Sequence, residues 1–80
     1  MNFSGVRFAD ANFVDAVLTR ANLSGADLRG ARFGRTVLRD ADLRGALLPG
    51  FDPRLADLRG AHIDVEHAIE FARVFGVRIG

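Results

Sequence analysis

With 80 residues, 11 basic side chains that are all arginine, 10 acidic ones and a formal net charge of +1, the chain has room for one domain with a modest core. It contains no cysteine, which excludes a disulfide framework, a thiolate nucleophile and a thiolate metal site, and makes the cytoplasm the default location. No apolar run approaches the roughly 20 residues of a membrane span and no charged-plus-apolar signal segment opens the chain, so no membrane partner is expected.

From Phe3 to Leu48 every fifth residue is large and apolar: Phe3, Phe8, Phe13, Leu18, Leu23, Leu28, Phe33, Leu38, Leu43 and Leu48. Two residues before each stands a mostly small series: Met1, Val6, Ala11, Ala16, Ala21, Ala26, Ala31, Thr36, Ala41 and Ala46. A period of five fits neither a helix at 3.6 nor a strand at 2.0, so neither can keep these residues on one face over this length. A coil that turns a corner every five residues can. Four sides then make a coil of about twenty residues, and coils stack through main-chain hydrogen bonds at about 4.8 Å. The expected fold class is an all-β solenoid, a quadrilateral β-helix of about three coils over residues 1–63.

Comparison at a spacing of twenty supports this reading. The columns are Phe3, Leu23, Leu43, Ile63; Phe8, Leu28, Leu48; Phe13, Phe33; and Leu18, Leu38, Leu58. Outward positions match by sign as well: Arg7 over Asp27, Asp15 over Arg35, Arg20 over Asp40 and Arg32 over Asp52 are expected to pair across coils. Arg39 over Arg59 is the like-charge exception, expected to be slightly unfavourable or to hold an anion.

Residues 49–55 break the pattern. Phenylalanine stands at a small position (Phe51) and proline at a large one (Pro53), with Pro49 and Gly50 marking a turn. The register returns in step at Ala56, Leu58, Ala61 and Ile63, so the irregularity replaces one side of a coil without adding residues. It reads as a loop on the third face, either a recognition loop or a corner with Phe51 or Leu55 folded inward.

Residues 64–80 change period. Asp64 is a good N-cap, Glu66 sits in the first turn and Gly76 is a stop, which predicts a helix over 65–75. At 100° per residue Val65, Ala68, Ile69, Phe71, Ala72 and Phe75 share an arc, opposite Glu66, Glu70 and Arg73. Val74 lies off that arc and adds apolar surface on a second side. The stripe is expected to cap the solenoid and to join two copies, so Val65, Ala68, Ile69, Phe71, Ala72, Val74 and Phe75 are the candidate homodimer interface. Val77 and Ile79, flanking Arg78, form a short tail that crosses to the partner or closes the stack.

The units Ala21-Asn22-Leu23-Ser24-Gly25, Ala26-Asp27-Leu28-Arg29-Gly30 and Ala41-Asp42-Leu43-Arg44-Gly45 resemble the consensus of the pentapeptide repeat family. That resemblance implies a right-handed quadrilateral β-helix. The ending, Ala56-Asp57-Leu58-Arg59-Gly60-Ala61-His62-Ile63-Asp64-Val65 with Ala68, Phe71-Ala72 and Gly76, resembles the C-terminal segment of the mycobacterial type of quinolone-resistance pentapeptide proteins. The likeness is to the C-terminal half of such a protein. It implies dimerisation through the C-terminal helix and DNA gyrase as a protein partner, bound by mimicry of duplex DNA. Three coils give about 15 Å of solenoid and two joined subunits about 30 Å plus helices, close to one turn of DNA at about 34 Å. The other reading is a reduced, truncated or designed repeat scaffold whose only binding activity is self-association.

Little else in the chain suggests a site. His62 and His67 are five apart with no third ligand, so no metal is expected, and Ser4 and Ser24 stack on a regular face with no base beside them. Neither an enzyme nor a cofactor is implied. Over residues 1–63 nine arginines oppose seven aspartates, a formal +2, and over 64–80 two arginines oppose three acids, a formal −1. Neither value suits a strong nucleic-acid binder, and the phenylalanines of the repeat face inward, Phe51 apart, leaving none for base stacking, so no direct nucleic acid contact is expected. The arginines Arg29, Arg39, Arg44, Arg54 and Arg59 are read as a concentration of one sign on one part of the surface. Arg39, Arg44, Asp42, Asp52, Arg54, Asp57 and Arg59 are the candidate protein-contact residues.

Overall fold

The computed structural model describes the whole chain, Met1 to Gly80. Its ladder runs in steps of twenty: Asn2 bridges Asn22, which bridges Asp42, which bridges His62; Arg7 bridges Asp27 and then Leu47; Asn12 bridges Arg32; Val17 bridges Val37. All these pairings are parallel. Between coils the donors and acceptors alternate, as where the Phe3 N–H donates to the Asn22 carbonyl at 2.7 Å and the Asn22 N–H to the Met1 carbonyl at 2.9 Å.

Continuous strands are nearly missing. Only Thr36–Val37 (β1) and Ala56–Asp57 (β2) qualify, paired in parallel with Thr36 opposite Ala56. The reason is the corner every five residues, which leaves one bridging residue per side. Corner positions Gly5, Asp10, Asp15, Arg20, Gly25, Gly30, Arg35, Asp40, Gly45, Gly50 and Gly60 all have φ between +51° and +74°. At most corners the residue that follows donates its N–H back across the turn, as Val6 does to the Phe3 carbonyl at 3.1 Å. Glycine takes this left-handed conformation without strain, and aspartate takes it more readily than most residues.

Inside the coils the two series meet as expected. Leu23, Leu38, Leu43, Ala21, Ala26 and Ala41 are all at most 1% exposed. Thr36, the polar member of the small series, is also fully buried, and its hydroxyl donates to the Phe13 carbonyl (2.8 Å) and accepts from the Gly34 N–H (3.2 Å). The first coil is less protected: Met1 and Val6, expected to face the axis, are exposed because no coil lies above them.

The irregular segment fills the core. Asp52 caps a short 3-10 turn over Pro53–Leu55, accepting the Arg54 N–H at 2.9 Å, and this turn stands where Leu55 would otherwise have to form a left-handed corner. Phe51 and Pro53 are buried, while Leu55 remains exposed. Of the two readings of this segment, the inward one therefore holds, for Phe51. Its ring continues a file of aromatic contacts: Phe3 to Phe8 (5.5 Å between centroids), Phe8 to Phe13 (5.2 Å), Phe13 to Phe33 (5.6 Å), Phe33 to Phe51 (4.8 Å) and Phe51 to Phe71 (5.6 Å). Edge-to-face and offset contacts at these distances are favourable beyond the area they bury.

Phe71 belongs to the helix, α1, which spans Val65–Val74 and stops at Gly76 (φ +72°). Burial separates inward from outward positions sharply. Leu28→Ala is expected to cost about 2–5 kcal/mol in urea unfolding, whereas Arg29→Ala next to it leaves the midpoint almost unmoved; equal losses would contradict the inward series.

Candidate protein-interaction surfaces

The outward charges are organised within each side of a coil more than between coils. Residues immediately before and after the large apolar one are alternate positions of an extended segment, so both point outward and lie side by side. In Asp-Leu-Arg this sets carboxylate against guanidinium: Asp27 with Arg29 (2.8 Å), Asp42 with Arg44 (2.7 Å) and Asp57 with Arg59 (3.0 Å), while Asp52 meets Arg54 (2.9 Å) from the N-cap of the 3-10 turn. The same aspartates accept the backbone N–H two residues on, as Asn2, Asn12 and Asn22 do elsewhere. One side chain thus fixes the approach to a corner and holds an arginine.

This arrangement corrects most of the expected pairs across coils. Asp15 and Arg35 do pair, at 2.6 Å and 3.0 Å, but Asp27 and Asp52 are taken by Arg29 and Arg54 in place of Arg7 and Arg32. The Asp40 carboxylate lies against Gly60, on the coil after its own, and not against Arg20. The like-charged Arg39 and Arg59 do hold an anion, and it is the carboxylate of Asp57 between them. Two guanidinium groups hold the Asp57 carboxyl far below the usual carboxylate range.

The candidate contact residues do not form one patch. Asp42 and Arg44 lie in the column of Asn2 and Asn22, Asp57 in that of Val17 and Val37, and Asp52 and Arg54 on the side formed by the 3-10 turn. Arg29 belongs to a fourth column, with Arg7. Across coils only Arg39, Asp57 and Arg59 come together; Asp42 with Arg44 and Asp52 with Arg54 remain separate pairs. The spacing of twenty that revealed the columns also assigns Arg29, Arg44 and Arg54 to three different faces and Arg39 with Arg59 to a fourth.

The helix divides the candidate interface. Phe71 packs on Phe51 and Val74 borders a crevice with Leu48 and Phe51, so both face the solenoid. Val74 therefore offers no second apolar side to a partner. Val65 (74% exposed), Ala68, Ile69 and Phe75 (60% exposed) form the outward stripe, with Ala72 half-buried between them. Phe75 is the one phenylalanine outside the aromatic file. Val77 and Ile79 of the tail are exposed as well.

His67 lies on the inner side of α1, its side chain 13% exposed. Nδ1 accepts the backbone N–H of Asp64 at 3.1 Å, and Nε2 lies 2.9 Å from the Ala46 carbonyl oxygen. It takes the place of the Glu or Gln that usually reaches back in a capping box, three residues after the N-cap. That spacing was the only sequence signal for it. Asp64 in turn accepts the Gly45 N–H at 2.6 Å. A crevice of about 330 Å³ runs beside this contact between α1 and Leu47–Pro49, with Arg29, Glu66 and Glu70 on its walls. His62 sits apart, on the outer face opposite Asp42.

The hydrogen bonds and charge of the arginines lower Asp27 and Asp42 to about 2. A carboxylate whose value is depressed by folding stabilises the fold above its unfolded value near 4, and that contribution is lost as pH falls through about 2. The thermal midpoint should therefore fall between about pH 4 and pH 2, and the double variant Asp27→Asn, Asp42→Asn should show a shallower fall in scanning calorimetry; an unchanged slope would count against these pairs.

The model of the family described as pentapeptide repeats matches residues 2–40 and 36–64, in 8 copies. No curated protein matches the chain as a relative. Among solved structures the chain is similar to full-length QnrB1, a plasmid-mediated fluoroquinolone resistance protein, at 24% identity over 95% of this chain and 43% of that one, with a TM-score of 0.43. Two trypsin-treated QnrB1 variants match at 23% and 21% identity over 99% of this chain and 45% of theirs, with TM-scores of 0.47 and 0.46. The chain spans less than half the length of these structures.

Proposed function

Because the chain belongs to the pentapeptide repeat family, we propose that it is a non-catalytic homodimer that presents a β-solenoid, coiled in the right-handed quadrilateral sense, to a protein partner in the cytoplasm. The observation that carries the reading is the outward stripe of Val65, Ala68, Ile69 and Phe75 on a helix whose other face is already committed to the solenoid. A stripe of this kind at the end of a rod suits an isologous contact, in which the same patch serves both copies.

The partner proposed is DNA gyrase, engaged as a mimic of duplex DNA. Shape is what supports it: one protomer extends 36 Å by 22 Å by 21 Å, so two joined at α1 reach up to about 70 Å, near two turns of DNA at about 34 Å each. This is longer than the coil count alone suggested, because α1 and the side chains extend the rod. Surface charge supports it less, since Asp27, Asp42, Asp52 and Asp57 each hold an arginine. The second reading, a scaffold that binds only its own copy, is favoured by those ion pairs.

Two measurements separate these readings. Light scattering should give a dimer for the wild type and a monomer for Phe75→Asp; an unchanged mass removes the α1 interface. In a gyrase supercoiling assay, the dimer should inhibit or should protect against a quinolone at high micromolar concentration, and a dimer that does neither leaves self-association as the whole activity.

A further inference from the structure

The N-terminus of α1 is tied to the solenoid by two contacts that share one pair of residues. Asp64 holds the Gly45 N–H through its carboxylate, and its own N–H is held by Nδ1 of His67, whose Nε2 meets the Ala46 carbonyl. An N–H facing Nδ1 and a carbonyl facing Nε2 leave one arrangement of the ring: neutral, with the proton on Nε2. An imidazolium has no acceptor, so protonation of Nδ1 sets an N–H against the Asp64 N–H. Histidine is the side chain that ordinarily changes charge between pH 5 and 8.

We infer that His67 is a positioning residue that couples the docking of α1 to pH, holding the helix on the solenoid when neutral and loosening it when protonated. The groups facing the ring set where a protonated ring goes. On its own helix and cap these are Asp64, whose Oδ2 lies 3.9 Å from Nδ1, and Glu66 and Glu70; across the crevice stands Arg29, and Arg44 lies near Asp64. Acid side chains outnumber the arginines here, so the imidazolium turns to the Asp64 carboxylate. That carboxylate is the acceptor of the Gly45 N–H. Recruiting it weakens the second tie together with the first, and the part-buried Asp64 N–H left without an acceptor is costly. Asp27 and Asp42, which hold Arg29 and Arg44, stay ionised throughout this range, with values of about 2. Since Val65, Ala68, Ile69 and Phe75 are presented by the docked helix, acid should also weaken the homodimer; this consequence rests on the α1 interface proposed above.

The test is amide hydrogen exchange by NMR at pH 7.5 and 5.5, corrected for intrinsic rates, with the α1 amides compared with the Leu43 amide of the solenoid. In the wild type the protection of α1 relative to Leu43 should drop about tenfold at pH 5.5, the loss of roughly one hydrogen bond. Glutamine offers the same acceptor and donor without titrating, so His67→Gln should keep its protection at both values, and His62→Gln should behave as the wild type. Equal wild-type protection at the two pH values, or the same drop in His67→Gln, overturns the inference. Imidazole nitrogen shifts at pH 7.5 that place the proton on Nδ1 would do so as well, even if His67→Gln folded poorly. Light scattering on the same samples judges the dimer separately: a monomer at both pH values removes the interface and leaves exchange to decide the helix docking.

Discussion

From the second coil on, each bridging residue bonds through its N–H and its carbonyl to the two residues that flank its partner twenty positions earlier, and the rest of the architecture follows from that constraint. The bond distances between coils stay between 2.7 and 3.1 Å from the first coil to the last. Keeping them requires each coil to close in twenty residues, which requires a corner at every fifth. Space inside such a coil admits one large and one small side chain per side, as the buried leucines and alanines show. Main-chain polar groups are thus satisfied by the stack while the interior stays apolar.

The same constraint explains where the charges go. A side of the coil is so short that the residues before and after its central leucine have few other neighbours, and Asp and Arg in those places find one another. The carboxylate does two jobs, bonding the next corner's backbone and holding the guanidinium. Exposed pairs of this kind contribute little to stability, but they cancel charge locally. What distinguishes the surface is therefore less its potential than the apolar stripe at the α1 end.

At that end one helix serves two surfaces. Its inner side carries Phe71, which extends the aromatic file out of the solenoid, and His67, which ties the first turn to Ala46. Its outer side carries Ile69 and Phe75. The position of the outer stripe is set by the inner contacts, because a rigid helix cannot move one face without the other. A change at Asp64 or His67 therefore acts on whatever the stripe binds.

Sequence by itself determined the coil, its columns, the extent of the helix to within a residue and the return of register at Ala56, since a period of five is a local property repeated many times and each copy votes for the same geometry. It also contained the Asp-Leu-Arg units that form the ion pairs, although a comparison only between coils overlooked them. Tertiary structure alone decided that Phe51 fills the place of the third column, that Phe71 and Val74 turn inward, and that His67 spans Asp64 and Ala46. Those outcomes depend on how the last coil ends and on where α1 lies against it. A helical arc fixes angles about its own axis and says nothing of which angle meets the neighbour, and that angle is set by contacts between residues some twenty apart, which no single stretch of the chain encodes.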